Sequence, residues 1–342
     1  MSNPIIGRLV AGVESQVQKA YEAFEVQPVT DVRLTDNLEP FGSQETTLEG
    51  TESAEGVGTF ERRHNSLLQI GPSKVPGWWI HRTDLDEQLD VKVSVRNVWT
   101  SARNIVLRAG SPHNYLRMVE HIVALRLGLG VDNVRLSIAS GDPPLFDRSS
   151  LDLVEAIQKA KIVPTGRPAR YVTVKEPVTI GGTRGDFLTI LPAEKGDKRL
   201  HLDVAIDWNT VIGKQRIQVD LTPETFIYGA GARTNATQTQ YIFSKTVGKL
   251  FADVRNMGYT KDNILIHGKK GFVTKPRPAY DLENGNSCEP VWHRTMLDLV
   301  AAIALVDRGR FIGTVKSYRA GHTLDVRLMT LLYMLDLLEV VE

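Results

Sequence analysis

Val119-Glu120-His121-Ile122-Val123-Ala124-Leu125-Arg126-Leu127-Gly128-Leu129-Gly130-Val131-Asp132-Asn133-Val134 is the stretch on which the fold class turns. With the residues just before it, it sets Tyr115, Met118, Val119, Ile122, Val123 and Leu125 at helical spacing over 115–127. Residues 133–138 then alternate apolar and polar, as a strand with one buried face does. A helix followed by a strand predicts mixed structure, and the mixture spreads outward on both sides. Upstream, 66–70, 78–81 and 90–95 have strand composition; downstream, 151–161 has helical spacing and is ended by Pro164.

A Pro/Gly-rich stretch at 164–168 precedes a second set: strands at 171–174, 187–190, 201–206 and 216–219, a helix at 295–306, a strand at 310–317 and a helix at 324–338. Strands followed by helices, twice over, predict an α+β chain with two domains, 46–165 and 166–342. Ahead of them, residues 3–24 open on Asn3 and Pro4 and place Ile5, Ile6, Leu9, Val10, Val13, Val17, Ala20, Tyr21 and Phe24 along one helix face. Residues 27–55 are acidic and interrupted by Pro28, Pro40, Gly42 and Gly50, which predicts a linker. Residues 1–45 are therefore expected to be a helical arm on an acidic tether. Its apolar stripe must dock, either on its own domain or, by reaching further, on a protein partner or a second copy of the chain.

The chain has 342 residues, 42% hydrophobic and 24% charged, with 41 Lys and Arg against 40 Asp and Glu. A net charge of +1 gives no global pull toward nucleic acid or an anionic membrane, so no nucleic-acid partner is expected and any partner must be met locally. The longest apolar run, 299–306, is far short of the ~20 residues that span a bilayer, so no transmembrane segment is expected. No secretory signal is read in the first 30 residues. The single Cys288 excludes an intramolecular disulfide and a multi-cysteine metal site. A reducing cytoplasm is the expected compartment.

The residues that carry chemistry are sparse. There is no His-Glu-x-x-His helix, phosphate-binding glycine loop or Gly-x-Ser-x-Gly elbow. Glu120 and His121 are neighbours on a helix, about 100° apart, so both can reach one cleft from different angles, although an isolated pair of this kind is more often a surface Glu beside a core or partner-bonded His. Asp298 opens an apolar helix, where the dipole favours a carboxylate for structural reasons alone. His322 follows Gly321 in a turn.

Several segments in series nevertheless resemble one family, the zinc-dependent UDP-3-O-acyl-N-acetylglucosamine deacetylases of lipid A biosynthesis. They are Glu55-Gly56-Val57-Gly58, Ile80-His81-Arg82-Thr83-Asp84-Leu85, the opening stretch from Val119, and Ala205-Ile206-Asp207-Trp208 through Ile212-Gly213-Lys214-Gln215-Arg216. Asp220-Leu221-Thr222-Pro223-Glu224, Ala232-Arg233-Thr234, Met296-Leu297-Asp298, and Phe311-Ile312-Gly313 through Gly321-His322 continue the series. The resemblance runs from about Thr46 to the C-terminus. It implies two similar layered α+β domains sandwiching a cleft. It also implies His121 and Asp298 as zinc ligands, Glu120 as the base that activates water, Thr234 as oxyanion stabiliser, and His322 as the histidine that, when protonated, helps charge stabilisation or leaving-group protonation.

The chain departs from the family in that machinery. Four residues before Asp298, where the resemblance implies the third ligand, a histidine, stands Arg294, whose guanidinium has no lone pair for a metal. His293 is adjacent, but five residues is about 140° around an ideal helix, so it reaches the same metal only if the helix starts later or carries a π-bulge. The family's lysine is Thr295, the aspartate behind its catalytic histidine is Ala302, its Phe-Gly pair is Asn235-Ala236, and its histidine near Gly58 is Phe60. Arg294 is expected to bridge Asp298 and Glu120. Two functions follow. One is a catalytically impaired relative, with no cofactor, whose fold serves binding or assembly. The alternative is an active zinc-dependent amide hydrolase that removes acetyl from an acylated UDP-amino sugar, with His121, His293 and Asp298 as a rearranged ligand set.

Overall fold

The computed structural model describes residues 7–60, 64–251 and 254–341. Two mixed sheets carry the α+β fold. The first runs Pro144–Leu145, Glu52–Gly58, Asn65–Pro72, Val134–Ile138, Trp78–Arg82, Val91–Lys92 in spatial order. The strand read in the opening stretch is central to it, antiparallel to Asn65–Pro72 and parallel to Trp78–Arg82. The second runs Arg8–Ala11, Val178–Gly181, Phe187–Leu191, Gly313–Tyr318, Leu200–Trp208, Gly213–Asp220, Asp31–Arg33.

The helices are α1 (Glu14–Glu25), α2 (Glu120–Gly128), α3 (Leu151–Ala160), α4 (Pro223–Ala230), α5 (Gln238–Lys245), α6 (Glu289–His293), α7 (Val300–Ala304) and α8 (His322–Met334). Between α6 and α7 the chain continues through a π-helical segment, Arg294–Leu299. α3 lies on the first sheet, α6 and α8 lie on the second, and α2 packs against the π segment and α7. One apolar core therefore runs from Ile70 and Leu136 through Val123, Leu127, Leu299 and Ile303 to Val204 and Val315. The helix expected from residue 115 begins only at Glu120, because Tyr115–Leu116 pairs as a strand and Met118 takes φ 50°. That late start puts Glu120 and His121 in the first turn.

The N-terminal arm differs from expectation. Residues 3–6 lie outside the described residues, and from Arg8 to Ala11 the chain is a strand parallel to Val178–Gly181. Gly12, at φ 108°, then lies so near Gly181 that a Cβ would stand 2.8 Å from its backbone. Helix begins after that crossing, at Glu14. Val17, Ala20, Tyr21 and Phe24 of α1 pack on Phe187, Ala205 and Tyr318, with the Tyr21 and Phe187 rings stacked at 5.0 Å. Of the two expected dockings, the described part of the stripe takes the one on the chain's own sheet, while Val13 stays exposed. Residues 27–55 are likewise not a loose linker: Asp31–Arg33 adds an edge to the second sheet, Gln44–Leu48 pairs with Ile162–Pro168, and Glu52–Gly58 belongs to the first sheet. Acidic side chains suit exposed faces of edge strands, and ladder hydrogen bonds outweigh composition there.

Candidate active site

Four chain segments bring the expected residues together. α2 supplies Glu120 and His121 at its start, and α8 supplies His322 at its first position, after Gly321. Thr234 follows α4 and is held from behind: Arg233 makes a two-pronged pair with buried Glu289 at 2.8 and 3.0 Å, and Glu289 also accepts the backbone N–H groups of Arg233 and Arg277. The fourth segment, from α6 into the π segment, supplies His293 and Asp298.

A π-helix closes i→i+5 bonds, so residues five apart stack where an α-helix would stack residues four apart. The result is visible at His293: its Nδ1 lies 3.6 Å from Asp298 Oδ1, and its Nε2 lies 3.2 Å from His121 Nε2. The Thr234 hydroxyl sits against both imidazoles, 3.2 Å from His121 Nε2 and 3.0 Å from His293 Nε2. His322 Nε2 completes the cluster, 3.5 Å from Asp298 Oδ1 and 3.6 Å from Glu120 Oε1.

Arg294 goes elsewhere. It does not bridge Asp298 and Glu120, because the π turn carries it to the far side, where its Nη2 donates to Asp325 Oδ1 at 2.7 Å and to Ser317 Oγ at 3.4 Å. Both members of that ion pair are buried. Asp325, three residues after His322 on α8, is the residue that motif reading missed. Its one-turn spacing from a candidate catalytic histidine was the available signal.

Burial sets the protonation states. It drives the His121 pKa down to about 3, with neighbouring His293 adding to the effect, and it lowers His293 too, so both rings are neutral lone-pair donors. Asp298 remains a carboxylate: burial pushes its pKa up, but His322, His293 and Arg294 outweigh that and hold it below the usual range. Burial raises Glu120, whose Oε1 accepts the Ile105 N–H at 2.5 Å while Oε2 has no partner among the described residues. For His322, burial opposes protonation, yet Asp298, Glu120 and Asp325 hold its pKa above that of an ordinary histidine.

Two neutral imidazoles and a carboxylate are a donor set that suits zinc. The 3.2 Å between the two Nε2 atoms is close to the roughly 3.3 Å that separates two nitrogens on one tetrahedral ion. Asp298 is turned toward His322 and the Nδ1 edge of His293, and among the described residues no three such side chains already stand around one point. The cluster opens into a cavity of about 250 Å³, also lined by Arg103, Asn104, Trp208 and Tyr259. Arg103 and Asn104 are shared with a groove of about 730 Å³ walled by Phe60, Trp99, Val106, Phe243 and Phe251.

A family model described as UDP-3-O-acyl N-acetylglycosamine deacetylase matches residues 45–334. Among similar curated proteins, a UDP-3-O-acyl-N-acetylglucosamine deacetylase of Thermosynechococcus vestitus is 30% identical over 286 residues, covering 82% of this chain and 91% of the relative. Proteins of the same name from Geobacter sp. (strain M21) and Brucella abortus (strain S19) are each 26% identical, covering 83% and 79% of this chain and 87% and 88% of the relatives.

Proposed function

Because the chain belongs to the UDP-3-O-acyl N-acetylglycosamine deacetylase family, we propose that it is a working amide hydrolase that removes acetyl from an acylated UDP-amino sugar, with His121, His293 and Asp298 holding zinc. One observation carries this: the π segment sets His293 Nε2 opposite His121 Nε2 at 3.2 Å, which recovers a second imidazole despite Arg294. The groove beside the cavity supports an acylated substrate, since its aromatic and aliphatic walls suit an acyl chain. Cys288, buried and single, fits a reducing, cytoplasmic setting.

Zinc, when bound, supplies Lewis-acid polarisation of the amide carbonyl and acidifies a water. The chain's own residues do the rest. Glu120 takes a proton from the attacking water as oxygen adds to the carbonyl carbon, a task suited to a carboxyl raised by burial. The Thr234 hydroxyl donates to the developing oxyanion. The C–N bond then breaks, and His322, kept protonated by the carboxylates around it, gives its proton to the departing amine. Products are acetate and the free amino sugar.

A second function, a binding protein with a spent centre, is favoured by the orientation of Asp298 away from the two Nε2 atoms. One experiment separates the two: measure zinc per chain in protein purified without chelator, and acetate released from a UDP-3-O-acyl-N-acetylglucosamine substrate. Stoichiometric zinc and release abolished in His293→Ala support the hydrolase. Zinc-free, inactive protein that stays inactive with added zinc overturns it and leaves the binding role.

A further inference from the structure

Charge along the chain is uneven. Between Asp90 and Glu120 there is no acidic residue, yet Lys92, Arg96, Arg103, Arg108 and Arg117 fall there; between Glu224 and Asp253 there is again none, with Arg233, Lys245 and Lys249. Lys92 and Arg96 are tied to Asp307, and Arg233 to Glu289. Of the remaining cations, Arg103 and Arg117 line the apolar groove. Arg108 lies over the Trp99 ring at 4.8 Å, Arg117 over Phe60 at 4.5 Å, and Arg103 and Lys249 are exposed. A near-zero net charge therefore conceals a local cationic surface.

The same surface is apolar. α5 and the 3₁₀ turn Val247–Leu250 expose Ile242, Phe243, Val247 and, at 79%, Leu250, beside Phe251 at 55% and Trp99 at 56%. An acyl chain in the groove accounts for Phe243, Phe251 and Trp99, which line it. It does not account for Ile242, Val247 and Leu250, which are not among the lining residues and stay in water when the groove is filled.

We propose that this face docks peripherally on an anionic lipid leaflet. Ile242, Val247 and Leu250 enter the headgroup boundary, Trp99 lies at the interface, and Arg103, Arg108 and Lys249 meet lipid phosphates. Charge complementarity selects a lipid surface, because the two segments that carry these apolar side chains also carry Arg103, Arg108 and Lys249, and neither segment contains a carboxylate. No helix of the described residues is long and apolar enough to cross a membrane, so the attachment is superficial. It needs no turnover and stands apart from the catalytic proposal.

The test is co-sedimentation of the full-length protein with phosphatidylcholine vesicles, with and without phosphatidylglycerol. Binding is expected only to the anionic vesicles. It should weaken by about 5-fold for each cation removed in Arg108→Gln and Lys249→Gln. Leu250→Glu should weaken it by more than ~10-fold, since it loses apolar burial and adds a repelled charge, with the melting temperature unmoved. Absence of vesicle binding, equal binding to both compositions, or parental binding by Leu250→Glu overturns the proposal. So does a dimer, seen by light scattering, that Leu250→Glu dissociates, because the face then belongs to a second copy.

Discussion

The floor and the mouth of the cleft are built on opposite terms. On the floor, α2, the π segment and α8 deliver side chains from buried backbone, and ion pairs such as Arg233–Glu289 and Arg294–Asp325 are 6% exposed or less. At the mouth, α5 and Val247–Leu250 leave large apolar groups in water. In the floor, the π segment Arg294–Leu299 sets residues five apart on one face, and so brings His293 beside Asp298. The mouth is free to change composition, because little of the core rests on it. Chemistry is thus held by packing, while the choice of surroundings is left to side chains that packing does not constrain.

The largest effect is expected at the floor. Metal ligation by His293 predicts that His293→Ala lowers zinc affinity by more than ~100-fold, since even residues that only orient ligands cost about 10 to 100-fold. Metal analysis after dialysis would show it, and a variant that keeps stoichiometric zinc would break the contrast.

Next come the buried charges. Arg294→Met strands Asp325, which has no exposed surface, and should cost about 3 to 5 kcal/mol in urea unfolding. Arg294→Met combined with Asp325→Leu should recover much of that loss, because both charges are then gone. Equal destabilisation by single and double variants would mean that packing, not charge, holds this corner.

A smaller, pH-dependent effect should appear in chelated protein. His121 sits at about 3 in the fold, against about 6.5 in an unfolded chain. The unfolded state therefore takes the proton first: this contribution is complete above about pH 6.5 and drains as pH falls toward 3. Thermal melts across that range would record it, and zinc should flatten the curve if His121 is a ligand, since the bound ring cannot protonate. Smallest of all, Leu250→Glu at the mouth should move stability by less than ~0.5 kcal/mol. A larger loss would show that the mouth is core after all and erase the distinction between the two regions.

Much of the floor was legible in the sequence because its residues lie in short contiguous motifs. Glu120-His121, Ala232-Arg233-Thr234, Met296-Leu297-Asp298 and Gly321-His322 converge in the structure. His293 was legible only as a conditional, since helical spacing is counted on a 3.6-residue turn and a π segment has no compositional mark. The partner of Arg294 was misassigned for the same reason: the i,i+4 rule pointed to Asp298, and the wider turn sends the guanidinium to Asp325. At the N-terminus, apolar residues at helical spacing hid a strand, because Arg8–Ala11 is too short to show alternation against the helix that follows. The edge strands Asp31–Arg33 and Gln44–Leu48 carry the polar faces that composition reads as loop.

In terms of helical phase, the segment Arg294–Leu299 suppresses a frameshift. One residue too many would leave every side chain after it about 100° out of step with those before, and the wide turn confines the slip to six residues, so that Val300–Ala304 returns to register with every residue buried. Removing Thr295 would shorten the run to the length an ordinary turn accepts, with His293 and the aspartate four apart and in phase. On the proposed reading, His293 is the ligand histidine shifted by one position rather than lost.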